Sequence, residues 1–212
     1  MARCWYYDVA ELADPRRYWA GLRELPWEAR KKKVERYVFE KDRLLCLGAG
    51  LLCAHALRYE GVDDLTLAEG EFGKPHLAHV PDVHFNLSHS GHMVTCVVCG
   101  SPVGVDVEER HTADDDVMRM CFQSQEIRWI LAQADKSKAF TRMWTRKESY
   151  LKLLGTGLSK EAKSCAVLSQ DEGALGVVFH EMEVDEHFMC CCTQSGERVE
   201  FVRWSREASR EA

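Results

Sequence analysis

Between residues 84 and 107 the chain carries three β-prone runs, 84–87, 93–99 and 103–107, separated only by short Ser/His/Gly and Gly-Ser-Pro stretches. Strands so closely spaced are joined by tight turns, which predicts an antiparallel meander. A long helical pattern flanks the meander on each side. Residues 41–59 present Leu44, Leu45, Leu47, Leu51, Leu52 and Leu57 as core candidates. Residues 138–154 form a second helix, with Ser137 as expected N-cap and Gly155 and Gly157 as its stop. Shorter signals complete the order: a strand over 4–9, a basic helix over 27–36, a short strand over 65–69 and a loop over 70–81. Beyond the meander, Asp114, Asp115 and Asp116 suit a helix N-terminus, and strands follow over 165–168, 175–179, 188–193 and 199–204. The pattern β-α-α-β-β-β therefore occurs twice without a sequence repeat. It predicts an α+β protein of two similar halves, 1–102 and 103–212, meeting near 100–104.

Composition narrows the function classes. The 212 residues hold 28 basic and 34 acidic side chains, a formal charge of -6, the wrong sign for a general nucleic-acid binder. The longest apolar stretch, 44–57, is interrupted by His55 and falls short of the ~20 residues of a membrane span. Residues 1–8 carry no apolar signal region. Ten cysteines, three of them adjacent at 190–192, suit a reducing compartment better than ordered disulfides. The expectation is a cytoplasmic protein with no nucleic-acid or membrane partner. Cys96 and Cys99 form a C-x-x-C, but on a strand their thiols face opposite ways and cannot share one zinc. His187 with Cys190, Cys191 and Cys192 has poor chelating spacing, so buried small hydrophobes are the reading.

Five constellations could carry chemistry. In Gly104-Val105-Asp106-Val107-Glu108-Glu109, a strand would turn Val105 and Val107 inward and Asp106 and Glu108 outward, about 7 Å apart. Such a pair can share a hard cation such as Mg²⁺ or can simply be the wet face of a half-buried strand. In the helix carrying Trp144-Thr145-Arg146-Lys147-Glu148-Ser149-Tyr150-Leu151-Lys152, Glu148 and Lys152 are neighbours one turn apart and Trp144 lies one turn before them. Lys147 falls inside the apolar stripe, where an ammonium needs an anionic partner. Phe85-Asn86-Leu87-Ser88-His89-Ser90-Gly91 reads as a turn able to bind phosphate oxygens or as an ordinary polar hairpin. A Ser-His-Asp hydrolase is disfavoured because no G-x-S-x-G elbow is present. In Gly73-Lys74-Pro75-His76, the glycine lets a ligand approach the backbone and the proline extends Lys74. Last, Arg30-Lys31-Lys32-Lys33 is a local positive patch suited to a phosphate-rich small ligand, or a solvated helix face.

The order and spacing of these segments, through Gly157-Leu158-Ser159, closely resemble the 4′-phosphopantetheinyl transferases, in particular the monomeric surfactin-synthetase-activating type. The resemblance implies two similar α/β subdomains in pseudo-twofold arrangement, with coenzyme A in the cleft between them. It implies a holo-[acyl-carrier-protein] synthase type reaction. The phosphopantetheine arm passes from coenzyme A to a serine hydroxyl of an apo acyl or peptidyl carrier protein, and adenosine 3′,5′-bisphosphate is released. Carried over residue by residue, Asp106, Glu108 and Glu148 match the Mg²⁺ ligands. Lys147 and Lys152 match lysines near the pyrophosphate, and Ser88 and His89 the phosphate-contacting turn. Gly73, Lys74 and Pro75 match the loop beside the adenine, and Arg30 and Lys33 fall near the basic residues for the 3′-phosphate. Glu148, Lys152 and Asp106 are the expected catalytic residues. A metal-dependent phosphohydrolase, with water as acceptor, is the rival enzyme; a non-catalytic coenzyme A or carrier-binding module is the rival outside enzymes.

Overall fold

A computed structural model of the chain describes residues 1–70, 72–156, 160–168, 176–194 and 196–206. The first half opens with strand β1 (Ala2–Asp8), followed by a 3-10 turn and three helices, α1 (Pro15–Glu24), α2 (Glu28–Arg36) and α3 (Glu40–Tyr59). The start of α1 is set by Asp14, whose carboxylate accepts from Arg16 N and Arg17 N, with Pro15 at the first helical position. Then come β2 (Leu67–Glu69), β3 (Pro75–Leu77), β4 (His84–Ser90) and β5 (Met93–Cys99). The second half repeats this plan: β6 (Val103–Glu109), α4 (Asp115–Cys121), α5 (Ser124–Ala132), α6 (Lys136–Leu154), β7 (Val177–Val184) and β8 (His187–Gln194).

The strands make two principal sheets. In the first the order is β4-β5-β1-β9, where β9 is Val199–Arg203; in the second it is β6-β8-β7. In each half the leading strand (β1 or β6) pairs antiparallel with the second strand of a later hairpin (β4–β5 or β7–β8). The long helix of each half packs on its own sheet, α3 on β1 and β5, α6 on β6 and β8. The α+β class and the two similar halves are therefore as expected.

Five expectations are corrected, the first being that residues 165–168 form no strand. The meander stops at β5, because β6 pairs with β8 in a different sheet. Strand β9 returns to the first sheet, parallel to β1, so a division into 1–102 and 103–212 does not describe the pairing of that strand. The loop over 70–81 contains β3, paired with β2. The N-cap of α6 is Asp135, whose carboxylate accepts from Lys138 N, rather than Ser137; its C-cap Gly155 adopts φ +74° as the sequence suggested. The expected strand start at 175 and the Gly157-Leu158-Ser159 segment lie outside the described residues.

Apolar packing joins the halves. Ala2, Cys4, Val97 and Cys99 of the first sheet bury against Val103, Val105 and Cys191 of the second. All ten cysteines are free and buried, and Cys96 and Cys99 contribute to different apolar clusters, as their strand spacing requires.

Candidate active site

The site forms where β4 of the first sheet runs beside β6 of the second. No ladder joins these strands; their side chains bridge them. Asn86, Ser88 and Ser90 share one face of β4. Asn86 Oδ1 accepts from Val105 N at 2.9 Å, Ser88 Oγ donates to Asp106 Oδ1 at 2.8 Å, and Ser90 Oγ donates to Glu108 Oε2 at 2.8 Å. Ser90 Oγ also accepts from Glu109 N at 3.1 Å. The segment 85–91 is thus mostly strand rather than the expected turn; only Gly91 turns, at φ +60°.

Helix α6 covers β6. Its backbone passes so close to Gly104 that a Cβ there would stand 2.0 Å from Ser149 O and 2.4 Å from Leu153 N. This approach buries Asp106, which a solvated strand face would have left wet. Trp144, Glu148 and Lys152 lie one turn apart on the covering face. Trp144 Nε1 donates to Glu108 Oε1 at 3.2 Å. Lys152 Nζ donates to Asp106 Oδ1 at 2.6 Å and to Ser88 Oγ at 2.7 Å. The lysine thus pairs across the seam rather than with Glu148 along the helix.

The carboxylates of Asp106, Glu108 and Glu148 repel one another in this space. Burial, then Asp106, then Glu108 push the Glu148 carboxyl up to about 7, against the pull of Lys152. Burial first and Asp106 second also raise that of Glu108. Asp106 Oδ2 and Glu148 Oε1 are buried without a hydrogen-bond partner. These three carboxylates, two of them with an unpartnered oxygen, form an all-oxygen donor set and outnumber the one adjacent ammonium, that of Lys152. A hard divalent cation such as Mg²⁺ fits it.

A cleft of about 990 Å³ opens on the other face of β4, lined among others by Trp27, Arg30, Lys33, Gly73, Pro75 and Leu87. Arg30 is braced by its Nε, which donates to Cys46 O at 3.1 Å. His89 shares the Leu87 face. It is exposed there, and its pKa is lowered by loss of solvation first and then by the charges of Lys152, Arg30 and Lys33. Gly73, at φ +77°, has open space where a side chain would stand.

Two lysines of the expected ligand set turn their ammonium groups elsewhere. Lys147 is fully buried, and its Nζ donates to Glu126 Oε2 at 3.0 Å, Ala162 O at 2.9 Å and Cys165 O at 2.7 Å. It holds the core of the second half and cannot reach a pyrophosphate. The anionic partner that its apolar position demanded is Glu126, in α5. Lys74 spends its ammonium on backbone carbonyls, Val103 O at 3.0 Å and Lys152 O at 2.5 Å, and burial lowers its pKa to about 8. Only the loop around it faces the cleft.

Asn86, Ser90 and Trp144 lie within the constellations the sequence singles out but carry no assigned role there; the structure places their side chains in the site. The i, i+2 spacing of Asn86, Ser88 and Ser90 was the available signal, hidden by reading their segment as a turn.

Residues 102–202 match the 4′-phosphopantetheinyl transferase superfamily, and residues 15–101 match the N-terminal region of a 4′-phosphopantetheinyl transferase family. A 4′-phosphopantetheinyl transferase of Bacillus subtilis is 30% identical over 153 residues, covering 70% of this chain and 68% of the relative. The 4′-phosphopantetheinyl transferase Sfp of Bacillus subtilis strain 168 is 29% identical over the same shares of each chain. The 4′-phosphopantetheinyl transferase psf-1 of Bacillus pumilus is 39% identical over 113 residues, 51% of this chain and 48% of the relative.

Proposed function

The chain belongs to the 4′-phosphopantetheinyl transferase superfamily, and from that premise we propose that it transfers the 4′-phosphopantetheine arm of coenzyme A to a serine hydroxyl of an apo acyl or peptidyl carrier protein. The bond formed is serine Oγ to phosphorus; the bond broken joins that phosphorus to the leaving adenosine 3′,5′-bisphosphate. The observation that carries the reading is the gathering of Asp106, Glu108 and Glu148 beside Lys152, with two buried carboxylate oxygens unpartnered. These carboxylates would hold Mg²⁺, which when bound supplies positive charge to the pyrophosphate under attack.

The chain's own groups divide the remaining work. Lys152 holds an ammonium at the mouth of the cluster, where pyrophosphate oxygens approach, and stabilises charge growing on the leaving group. Glu148 takes the proton of the incoming serine, directly or through a water. Arg30 and Lys33 give the adjoining cleft the charge that a 3′-phosphate needs, and the His89 imidazole, its pKa lowered, offers it a neutral N–H donor. Gly73 and Pro75 leave its wall open for a flat base. Ser88 holds Asp106 and Lys152 in register. One chain supplies all of these groups, which supports a monomer, and buried free thiols support a cytoplasmic location. Among the described residues, no helix is long and apolar enough to cross a membrane.

The deciding experiment incubates the protein with coenzyme A, Mg²⁺ and a panel of apo carriers, read by intact mass. A gain of one phosphopantetheine on a carrier is expected, abolished by EDTA and restored by Mg²⁺. Free phosphopantetheine with unmodified carrier would instead establish a hydrolase. Asp106→Asn should cut transfer at least about a hundredfold with the melting temperature preserved. A folded, fully active variant would remove Asp106 from the site.

A further inference from the structure

Outside the transfer site, three side chains from distant parts of the chain meet at the ends of the two sheets. His92 stands in the turn between β4 and β5, Glu109 ends β6, and His187 begins β8. One donor atom from each lies within 4.8 Å of the others. His187 is completely buried and its ring nitrogens lack a close hydrogen-bond partner; the Ser90 backbone stands near enough to act on one nitrogen at most. A buried imidazole nitrogen left idle is costly, and an ion would give it a partner.

The surroundings keep this space clear. Gly91 adopts φ +60°, and a Cβ there would stand 2.5 Å from His187 Nε2 and 2.9 Å from Glu109 Oε2. Any other residue would fill the point where those two donors converge. The His92 and His187 rings meet edge to face with centroids 4.7 Å apart. Asp8 Oδ2 stands 3.8 Å from His92 Nε2, where it can steady that ring. A cavity of about 450 Å³, lined in part by Gly91, His92 and Glu109, provides the entry path; Glu40 and Lys41 at its rim offset each other in charge.

We propose that His92, Glu109 and His187 form a second metal site, which takes one Zn²⁺ ion. Two imidazoles and one carboxylate suit zinc, whereas Mg²⁺ prefers oxygen donors alone. Zinc bonds to nitrogen and oxygen of about 2.0–2.2 Å set tetrahedral donors about 3.4 Å apart, so small side-chain movements close the site. The fourth position is left to water from the cavity. The site is separate from the transfer cluster. Glu109 follows Glu108 on β6 and points to the opposite face, and Ser90 Oγ hydrogen bonds to both residues. Zinc here ties the β4–β5 turn of the first sheet to β6 and β8 of the second, one residue behind Glu108.

The test uses the full chain, stripped with chelator and returned to excess Mg²⁺, then titrated with Zn²⁺ by equilibrium dialysis and calorimetry. Uptake of one zinc per chain and a rise in melting temperature are expected. His92→Ala and Glu109→Gln lie at partly exposed positions, so they keep the fold where a His187 variant could lose it. Each should weaken zinc binding by at least about tenfold and remove the thermal shift, while Asp106→Asn retains both. Co²⁺ in place of zinc should show ligand-field bands without thiolate charge transfer, since the cysteines are buried. Absence of stoichiometric uptake overturns the site, as does wild-type affinity in both variants, thiolate absorption with Co²⁺, or loss of binding in Asp106→Asn.

Discussion

Lys147 and Lys152 sit five residues apart on one helix and do opposite work. The angle between them around α6 decides it. Lys152 faces the seam and meets Asp106; Lys147 faces the core and meets Glu126 with both side chains fully buried. Removing one member of a buried ion pair strands the other in a low-dielectric interior. Lys147→Met should therefore cost about 3–5 kcal/mol in urea unfolding, and adding Glu126→Gln should recover part of the loss. Coenzyme A affinity of the folded variant should stay unchanged; a large fall in affinity with stability intact would return Lys147 to the ligand. The need of Lys147 for a carboxylate was legible from its place in an apolar stripe. Which carboxylate it was could not be read, because Glu126 reaches it from α5 through a tertiary contact. His92, Glu109 and His187 were illegible for the same reason: ligand-spacing rules look for neighbours in sequence, and these residues are neighbours only across a sheet junction.

Helix α6 is the element on which the site turns. One face carries Trp144, Glu148 and Lys152 towards β6. Another carries Arg142 and Arg146 to Glu181 of β7, each guanidinium making paired bonds of 2.6–2.8 Å to the carboxylate. Burial alone would raise the Glu181 carboxyl, but the two arginines win and hold it at about 2. A carboxylate lowered on folding adds stability that is complete above its unfolded value of about 4.3 and fades as pH falls towards its folded value. The wild-type advantage over Glu181→Gln in chemical unfolding should thus be full at neutral pH and shrink between about pH 4.3 and 2. A pH-independent difference would contradict that account. Gly104 governs the other side of the helix. Gly104→Ala forces the α6 backbone outward, at a cost of about 3 kcal/mol. By displacing Glu148 and Lys152, it should also slow transfer by about a hundredfold. Normal turnover in a Gly104→Ala protein would show that the helix has room to spare. Both helix termini near the site were close to legible, since Gly155 and an acidic cap are local signals. The helix-to-strand distance was not, because a lone glycine in a strand pattern does not reveal what lies above it.

Across the whole molecule the two halves share a plan but are not independent bodies. Apolar clusters mix strands of both sheets, as where Tyr6 and Met93 pack with Val107 and Met189. The side chains of Asn86, Ser88 and Ser90 stitch β4 to β6, and Lys74 ties the β2–β3 region to both Val103 and Lys152. Calorimetry should show one cooperative unfolding transition with matching calorimetric and van't Hoff enthalpies; two resolved transitions would mean that the halves melt separately. The doubling was readable because each half writes the same order of periodic segments. The switch of sheet after β5 was not, since a short turn leaves open whether the next strand continues a ladder or starts another.

Strand β9 lies against β1, almost the full length of the chain away. A ribosome making this protein from its amino end produces β1 early and must hold one of its edges bare until residues 199–203 emerge. Until then that edge is a template for pairing with any passing extended chain. The nascent protein is thus most exposed to aggregation during the interval in which its second half is being translated, and truncation before Val199 would make that exposure permanent.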